Sequence, residues 1–150
     1  MTRIDRSALL PYPAARLFDL VNDIEAYPEY MKGCVGAEIL RREPDLVEAR
    51  LDLAQGGISQ SFATRNRHQP PELIHLELLE GPFEHFAGRW HFRELSSEAC
   101  KVSLYLEFRM SSRLLGAAAS RLFEMVAREQ IEAVSARADQ LYGTSSGALS

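Results

Sequence analysis

Four histidines, two cysteines and a scatter of carboxylates are the residues of this chain that could do chemistry. Their spacing withholds most of it. His68, His75, His85 and His91 form no HxxxH pair, and neither Cys34 nor Cys100 stands at ligand spacing from a histidine. A zinc-type centre needs such spacing, so the pattern predicts no metal site. There is no GxSxG, no P-loop and no GxGxxG. Gly56-Gly57 precedes a strand pattern, not a helix, so it reads as a turn and not as a phosphate cradle. Glu48, Asp52 and Glu77 fall on the polar side of alternating segments, where carboxylates are solvated. Nothing resembles a nucleophilic triad. The expectation is a protein without catalytic residues.

A few residues stand out against their surroundings. Thr64 and Asn66 share a strand face with Phe62 and could be buried polar contacts. Glu129 and Gln130 lie at the apolar edge of the last helical segment. Each either snorkels to solvent or hydrogen-bonds a polar group inside a pocket. Arg65, Arg67, Arg89 and Arg93 project from the outer sheet face and would form a basic stripe if their strands are neighbours. Ordinary surface charge is one reading of them. A partner surface for an anionic lipid face or ribosomal RNA is the other.

The elements that must position these groups follow from periodicity. The 150 residues, 46% hydrophobic and 25% charged, suit one globular domain with a real core. The net charge of −4 argues against broad nucleic-acid binding, DNA included. Two cysteines are too few for a disulfide scaffold and fit a reducing compartment. MTRIDRSALL has neither the apolar core nor the cleavage site of a signal peptide, and no apolar run is long enough to span a bilayer.

Ile4–Leu10 reads as a strand. Pro13 opens an amphipathic helix through Asn22 that carries Phe18, and Tyr27-Pro28 opens a second, shorter one with Tyr27 and Tyr30. From Val35 the period falls to 2. Six strands follow, punctuated by Glu43-Pro44-Asp45, Gln55-Gly56-Gly57, Gln69-Pro70-Pro71, Gly81-Pro82 and Ser96-Ser97-Glu98. Leu114–Tyr142 is then one long helical pattern, roughly 40 Å at 1.5 Å per residue. Its apolar face runs through Leu115, Ala118, Ala119, Leu122, Met125 and Val126 and shifts to Ile131, Val134, Ala138 and Leu141. Only an antiparallel sheet is wide enough to cover that face. A bent sheet around a helix leaves either a closed core or a ligand pocket of roughly 300–1,000 Å³. The domain is expected to span residues 1–143, with a disordered tail over 144–150.

The segments LLPYPAARLFDLVNDIEAYPEYMKGCVGAEIL, SFATRN, LLEGPFEHFAGRWHF, CKVSLYLEF and SSRLLG, in that order, resemble the coenzyme Q-binding and ribosome-association toxin (RatA) branch of the START-like (polyketide cyclase/dehydrase) superfamily. The resemblance runs from Ile4 to Tyr142. It implies an α+β helix-grip fold: a curved seven-stranded antiparallel sheet around a long C-terminal helix, with two short helices after the first strand. It also implies a cavity, which maps onto Phe18, Tyr27, Tyr30, Val35, Phe62, Phe83, Trp90, Phe108, Leu115, Leu122 and Met125.

The function implied is non-enzymatic. The lead is a binding protein or chaperone for ubiquinone or another polyisoprenoid lipid that supports respiration, with no cofactor beyond that ligand. The alternative is an inhibitor that binds the large ribosomal subunit, through Arg65, Arg67, Arg89 and Arg93, and blocks subunit association. An aromatase/cyclase is the third reading. The location implied is the bacterial cytoplasm, with transient contact at the inner membrane surface.

Overall fold

The computed structural model describes residues 1–111 and 113–143, and of residues 113–116 the backbone alone. In chain order the elements are β1 (Thr2–Leu10), α1 (Ala14–Asn22), a 3-10 turn (Ile24–Ala26), α2 (Tyr27–Tyr30), β2 (Cys34–Glu43), β3 (Leu46–Gln55), β4 (Ile58–Gln69), β5 (Leu73–Glu80), β6 (Phe83–Ser96), β7 (Ala99–Met110), α3 (Arg113–Arg128), α4 (Gln130–Ala138) and a π-helical turn (Asp139–Gly143). The expected tail over 144–150 lies outside the described residues.

The seven strands form one antiparallel sheet in the order β1-β7-β6-β5-β4-β3-β2. Strands β2 to β7 make the meander that the turn spacing predicts. β1 closes the far edge against β7, in register from Thr2↔Phe108 to Leu10↔Cys100. The chain must therefore cross from one edge of the sheet to the other between β1 and β2, and α1 and α2 carry it across. Strand alternation sets the faces. Cys100, Val102, Leu104, Leu106 and Phe108 of β7 are buried, while the residues between them are partly exposed. This is the period-2 pattern of a sheet covered on one side.

The sheet curves around the helix through register shifts at Cys34/Gly36, Ile39/Arg41, Ala63/Thr64, Phe83/His85 and Glu94/Ser96. Each bulge adds a residue on one strand and bends it. One bulge explains why Phe83 and Phe86, three residues apart, both join the core. Gly88 sits where β6 passes between its neighbours. A Cβ there would lie 2.3 Å from Leu106 Cδ2 and 3.0 Å from the Tyr105 carbonyl oxygen, so only glycine permits the approach.

The last helical run packs across the concave face, α3 against β1, β3, β4 and β7, and α4 against β1, β7 and α1. It is interrupted at Glu129 (φ −88°, ψ −3°). The ladder nevertheless holds through the break. Glu129 N–H donates to Met125 C=O at 3.2 Å, and Ala133 N–H donates to Glu129 C=O at 2.9 Å. Ile131, Val134 and Ala138 are buried, as the sequence pattern predicts, but Leu141 is 50% exposed. The wider π-helical turn rotates Leu141 out of the apolar stripe and brings Tyr142 against Tyr12, ring centroids 5.7 Å apart.

An unpaired carboxylate buried at Val134 has no partner there to offset its desolvation. Val134→Asp should lower stability by more than about 3 kcal/mol in urea denaturation. Leu141→Asp, at a solvated position, should change it by less than about 0.5 kcal/mol. Equal losses for the two would mean that α4 is not seated as described.

Candidate functional site

Between the concave sheet face and the helices lies a cavity of about 80 Å³. The end of α1 and the turn after it, the middle of β3 to β7, and the faces of α3 and α4 all contribute to its wall. Most of the lining is apolar, with the rings of Phe62, Phe86, Trp90 and Phe123 among it. The volume falls below the 300–1,000 Å³ expected from the sequence. It is about half of the ~150 Å³ of an engineered apolar cavity that binds benzene. The reason is Phe123. Its ring fills the bend of the sheet, with centroids 4.6 Å from Phe108, 5.1 Å from Phe83, 5.3 Å from Phe62 and 6.1 Å from Phe86.

Asn22, Thr64, Asn66 and Gln130 bring polar side chains to the wall of this cavity. Thr64 and Asn66 alternate inward on β4 and are both 8% exposed. Thr64 Oγ1 donates to Asn66 Oδ1 at 2.8 Å. Asn22 Oδ1, at the end of α1, is buried and has no hydrogen-bond partner. A buried acceptor left unpaired costs about 1–3 kcal/mol.

The remaining reactive groups are chemically quiet. The Tyr27 hydroxyl donates to the Val21 carbonyl, and burial raises its pKa well above the ordinary phenol value. Burial likewise raises the Cys34 thiol, so it stays protonated and a weak nucleophile. No Asp, Glu, His, Lys or Arg is among the described residues lining the cavity. A general acid or base within reach of a bound molecule is therefore not on the wall. Among the described residues no cluster of His, Cys, Asp and Glu could hold a metal ion.

The structure divides the residues that the resemblance assigned to the cavity. Tyr27, Phe62 and Trp90 line it. Phe18 belongs to the adjoining core, with ring centroids 5.6 Å from Phe92 and 5.7 Å from His68. Phe83 and Phe108 sit in the aromatic cluster around Phe123, off the wall. Leu122 is buried and Met125 half-buried beside the cavity, on a helix face turned away from its lining. Tyr30 is half-buried under the Arg137 guanidinium, 5.1 Å from its ring centroid, and burial raises its pKa. Val35 requires correction. It is 62% exposed, because the irregularity between Cys34 and Gly36 turns it outward. The side chain of Leu115 lies outside the described residues.

Phe123, Val126 and Ala127 form the helical wall that the sequence reading misplaced by about one position around the helix. The stripe Ala119, Phe123, Ala127 at i, i+4, i+8 is its signature. Of the polar pair flagged at the helix edge, Gln130 reaches the cavity and Glu129 is exposed to solvent.

The four arginines share the outer face, but β5 separates β4 from β6. Arg65 Nε lies 2.8 Å from Glu48 Oε2, and Arg67 Nε lies 2.7 Å from Glu77 Oε1. Arg89 stacks on the Tyr105 ring at 4.8 Å, and Arg93 pairs in register with Lys101. The four do not form one continuous stripe: carboxylates interleave on the β4 side, and positive groups gather on the β6–β7 side.

What fold and site define is a helix-grip scaffold: a seven-stranded antiparallel sheet wrapped on a C-terminal helix, with a mostly apolar cavity between them. The chain belongs to the polyketide cyclase/dehydrase and lipid transport family, whose model matches residues 10–135. It is 44% identical over 142 residues to the ribosome association toxin RatA of Pseudomonas aeruginosa, covering 95% of this chain and 99% of that one. It is 24% identical to the mitochondrial coenzyme Q-binding protein COQ10 of Dictyostelium discoideum, over 91% of this chain and 68% of that protein. The aromatase/cyclase ZhuI from Streptomyces sp. R1128 superposes with a TM-score of 0.81 over 93% of this chain and 94% of its own, at 17% identity, which establishes the shared fold alone.

His68 supplies a check on the core beside the cavity. It is 8% exposed and its Nε2 has no partner. Burial lowers its pKa below the ordinary 6.5, and Arg42 adds to this against the opposing pull of Asp45. The fold thus favours neutral imidazole. That contribution is complete above about pH 6.5 and is lost as the pH falls below it. Between pH 7 and pH 5 the melting temperature of the wild type should fall more than that of His68→Leu. Parallel curves would show that His68 does not titrate with unfolding.

Proposed function

We propose that this chain acts by binding and not by catalysis, and that its cavity holds part of a hydrophobic molecule that carries a polar group. An isoprenoid quinone such as ubiquinone is the candidate that the coenzyme Q-binding relative favours. The observation that carries this reading is a mostly apolar wall to which Asn22, Thr64, Asn66 and Gln130 also belong. Each isoprenoid CH₂ moved from water to such a wall gains about 0.8 kcal/mol. At about 80 Å³ the cavity must widen to admit a ring. The role would be that of a carrier or chaperone in the bacterial cytoplasm, with transient contact at the inner membrane. No helix of the described residues is long and apolar enough to cross a membrane.

Ubiquinone with a short isoprenoid tail should raise the melting temperature and quench the single tryptophan, Trp90, which lines the cavity. Ala49→Leu places an isobutyl group on the wall and should abolish both effects while the protein stays folded. Absence of binding in the wild type, together with quinone-free organic extracts of the natively purified protein, would refute the ligand reading.

A second reading rests on a different observation, the 44% identity to a RatA protein over nearly the whole length of both chains. On it the chain associates with the ribosome, at the large subunit, and blocks subunit joining. The relatives favour this reading more directly than the first, whereas the geometry of the cavity favours the first. The two are compatible, since one would use the outer face and the other the interior.

Arg89 and Arg93, exposed and outside the ion pairs found among the described residues, are the positions to test. Co-sedimentation with large subunits should fall at least about tenfold in Arg89→Glu/Arg93→Glu and decline steeply with salt. Binding indifferent to both would exclude this face.

A further inference from the structure

We infer that Asn66 is the specificity-determining residue of the cavity, and that it takes an acceptor oxygen, the carbonyl of a ketone, ester or quinone, on an otherwise apolar molecule, with Thr64 holding it in the orientation to do so. This rests on the ligand-binding reading above and gives the sign of its hydrogen bond. Asn66 lies on the inward face of β4 and lines the cavity. Thr64 Oγ1 donates to its Oδ1 at 2.8 Å, which leaves the amide nitrogen as the free end. The neighbours of Asn66 in the sheet, Val47 on β3 and Leu76 on β5, have no acceptor in their side chains. Among the described residues nothing accepts from Asn66 Nδ2. Nor is that atom among the fully enclosed polar atoms without a partner, which among the described residues are Asn22 Oδ1, Tyr30 Oη and His68 Nε2. It therefore keeps some open surface. Asn66 as a whole is 8% exposed and faces inward, so that surface looks into the cavity.

Other protons of the wall are already engaged. The Tyr27 hydroxyl donates to the Val21 carbonyl, and the Cys34 thiol donates to the Gly36 carbonyl at 3.5 Å. The Trp90 indole N–H is a second donor on the wall, with no partner among the described residues and outside the enclosed set. An indole nitrogen can only donate. A carbonyl oxygen brings two lone pairs and no proton of its own, so it meets such donors with nothing left over. A hydrocarbon of the same shape would seal the Asn66 N–H groups from water without a partner. Sites that pair a polar group of the ligand discriminate against analogues that lack it, because their own polar groups are then stranded.

The test compares acetophenone with isopropylbenzene, close in shape but without the oxygen, on the full chain by calorimetry and Trp90 fluorescence. Asn66→Leu should weaken acetophenone about fivefold or more, the size of one neutral hydrogen bond, and leave isopropylbenzene unchanged or tighter. The infrared carbonyl band of bound acetophenone should lie at lower frequency in the wild type than in Asn66→Leu. Thr64→Val nearly keeps the size of the side chain and frees the Asn66 amide to turn. It should weaken acetophenone selectively too, with little further effect in the Asn66→Leu background. Thr64→Val, with the same infrared readout, also serves if Asn66→Leu does not fold. Equal changes for the two probes, no change included, overturn the assignment to Asn66 and leave the cavity reading standing. Additive losses in the double variant overturn the positioning role of Thr64. Binding of neither probe overturns the inference, and failure of short-tailed ubiquinone to bind as well overturns the reading beneath it.

Discussion

The seat of the Phe123 ring among Phe62, Phe83, Phe86 and Phe108 is the contact on which the rest of this structure depends. It joins α3 to strands β4, β6 and β7 at one point, in the bend of the sheet. Edge-to-face aromatic pairs contribute about 0.5–1.5 kcal/mol each beyond the area they bury. Steric fit matters as much as the energy. The bulge at Phe83/His85 brings two rings inward from one strand, and Gly88 lets the neighbouring strands close up beside them. With this cluster formed, the helix cannot sink further into the sheet, and a small cavity is left on the Asn66 side of the wall.

That cavity keeps polar groups where core packing alone would favour apolar ones. Thr64 and Asn66 interrupt the inward face of β4, while the matching positions on β3 and β5 are Ala49, Val47, Leu78 and Leu76. In a low-dielectric interior an asparagine is tolerated when its hydrogen bonds are met, and Asn66 Oδ1 accepts one from Thr64 Oγ1. The contrast with the titratable groups is informative, because burial pushes Tyr27 and Cys34 toward their neutral forms and so away from acid–base or nucleophilic work.

The outer face follows different rules. Its charges are solvated, so the pairs Arg65–Glu48 and Arg67–Glu77 contribute little to stability. What they do is shape the field. Cross-strand pairing neutralises the β4 side and leaves Arg89, Arg93 and Lys101 as the positive region of a chain whose net charge is −4. A surface of this kind tunes encounter with an anionic partner through salt-dependent attraction, independently of what the interior holds.

The sequence by itself determined the element order, the seven strands, the inward parity of β7 and the long last helix. Hydrophobic periodicity and turn residues are local properties of the chain, and they set which face of each element is apolar. It also marked Thr64, Asn66 and Gln130, because a polar residue in an apolar stripe is visible without coordinates. Three things only the tertiary structure decided. Bulges shift parity by one residue at positions that period-2 counting cannot locate, which is how Val35 came to face solvent and Phe83 came to join Phe86. Helix phase is uncertain by about one residue when an alanine-rich face offers several equivalent stripes, so Phe123 and not Leu122 faces the cavity. Strand order places β5 between the arginines of β4 and β6, and cross-strand neighbours far apart in sequence decide which of those charges stay unpaired.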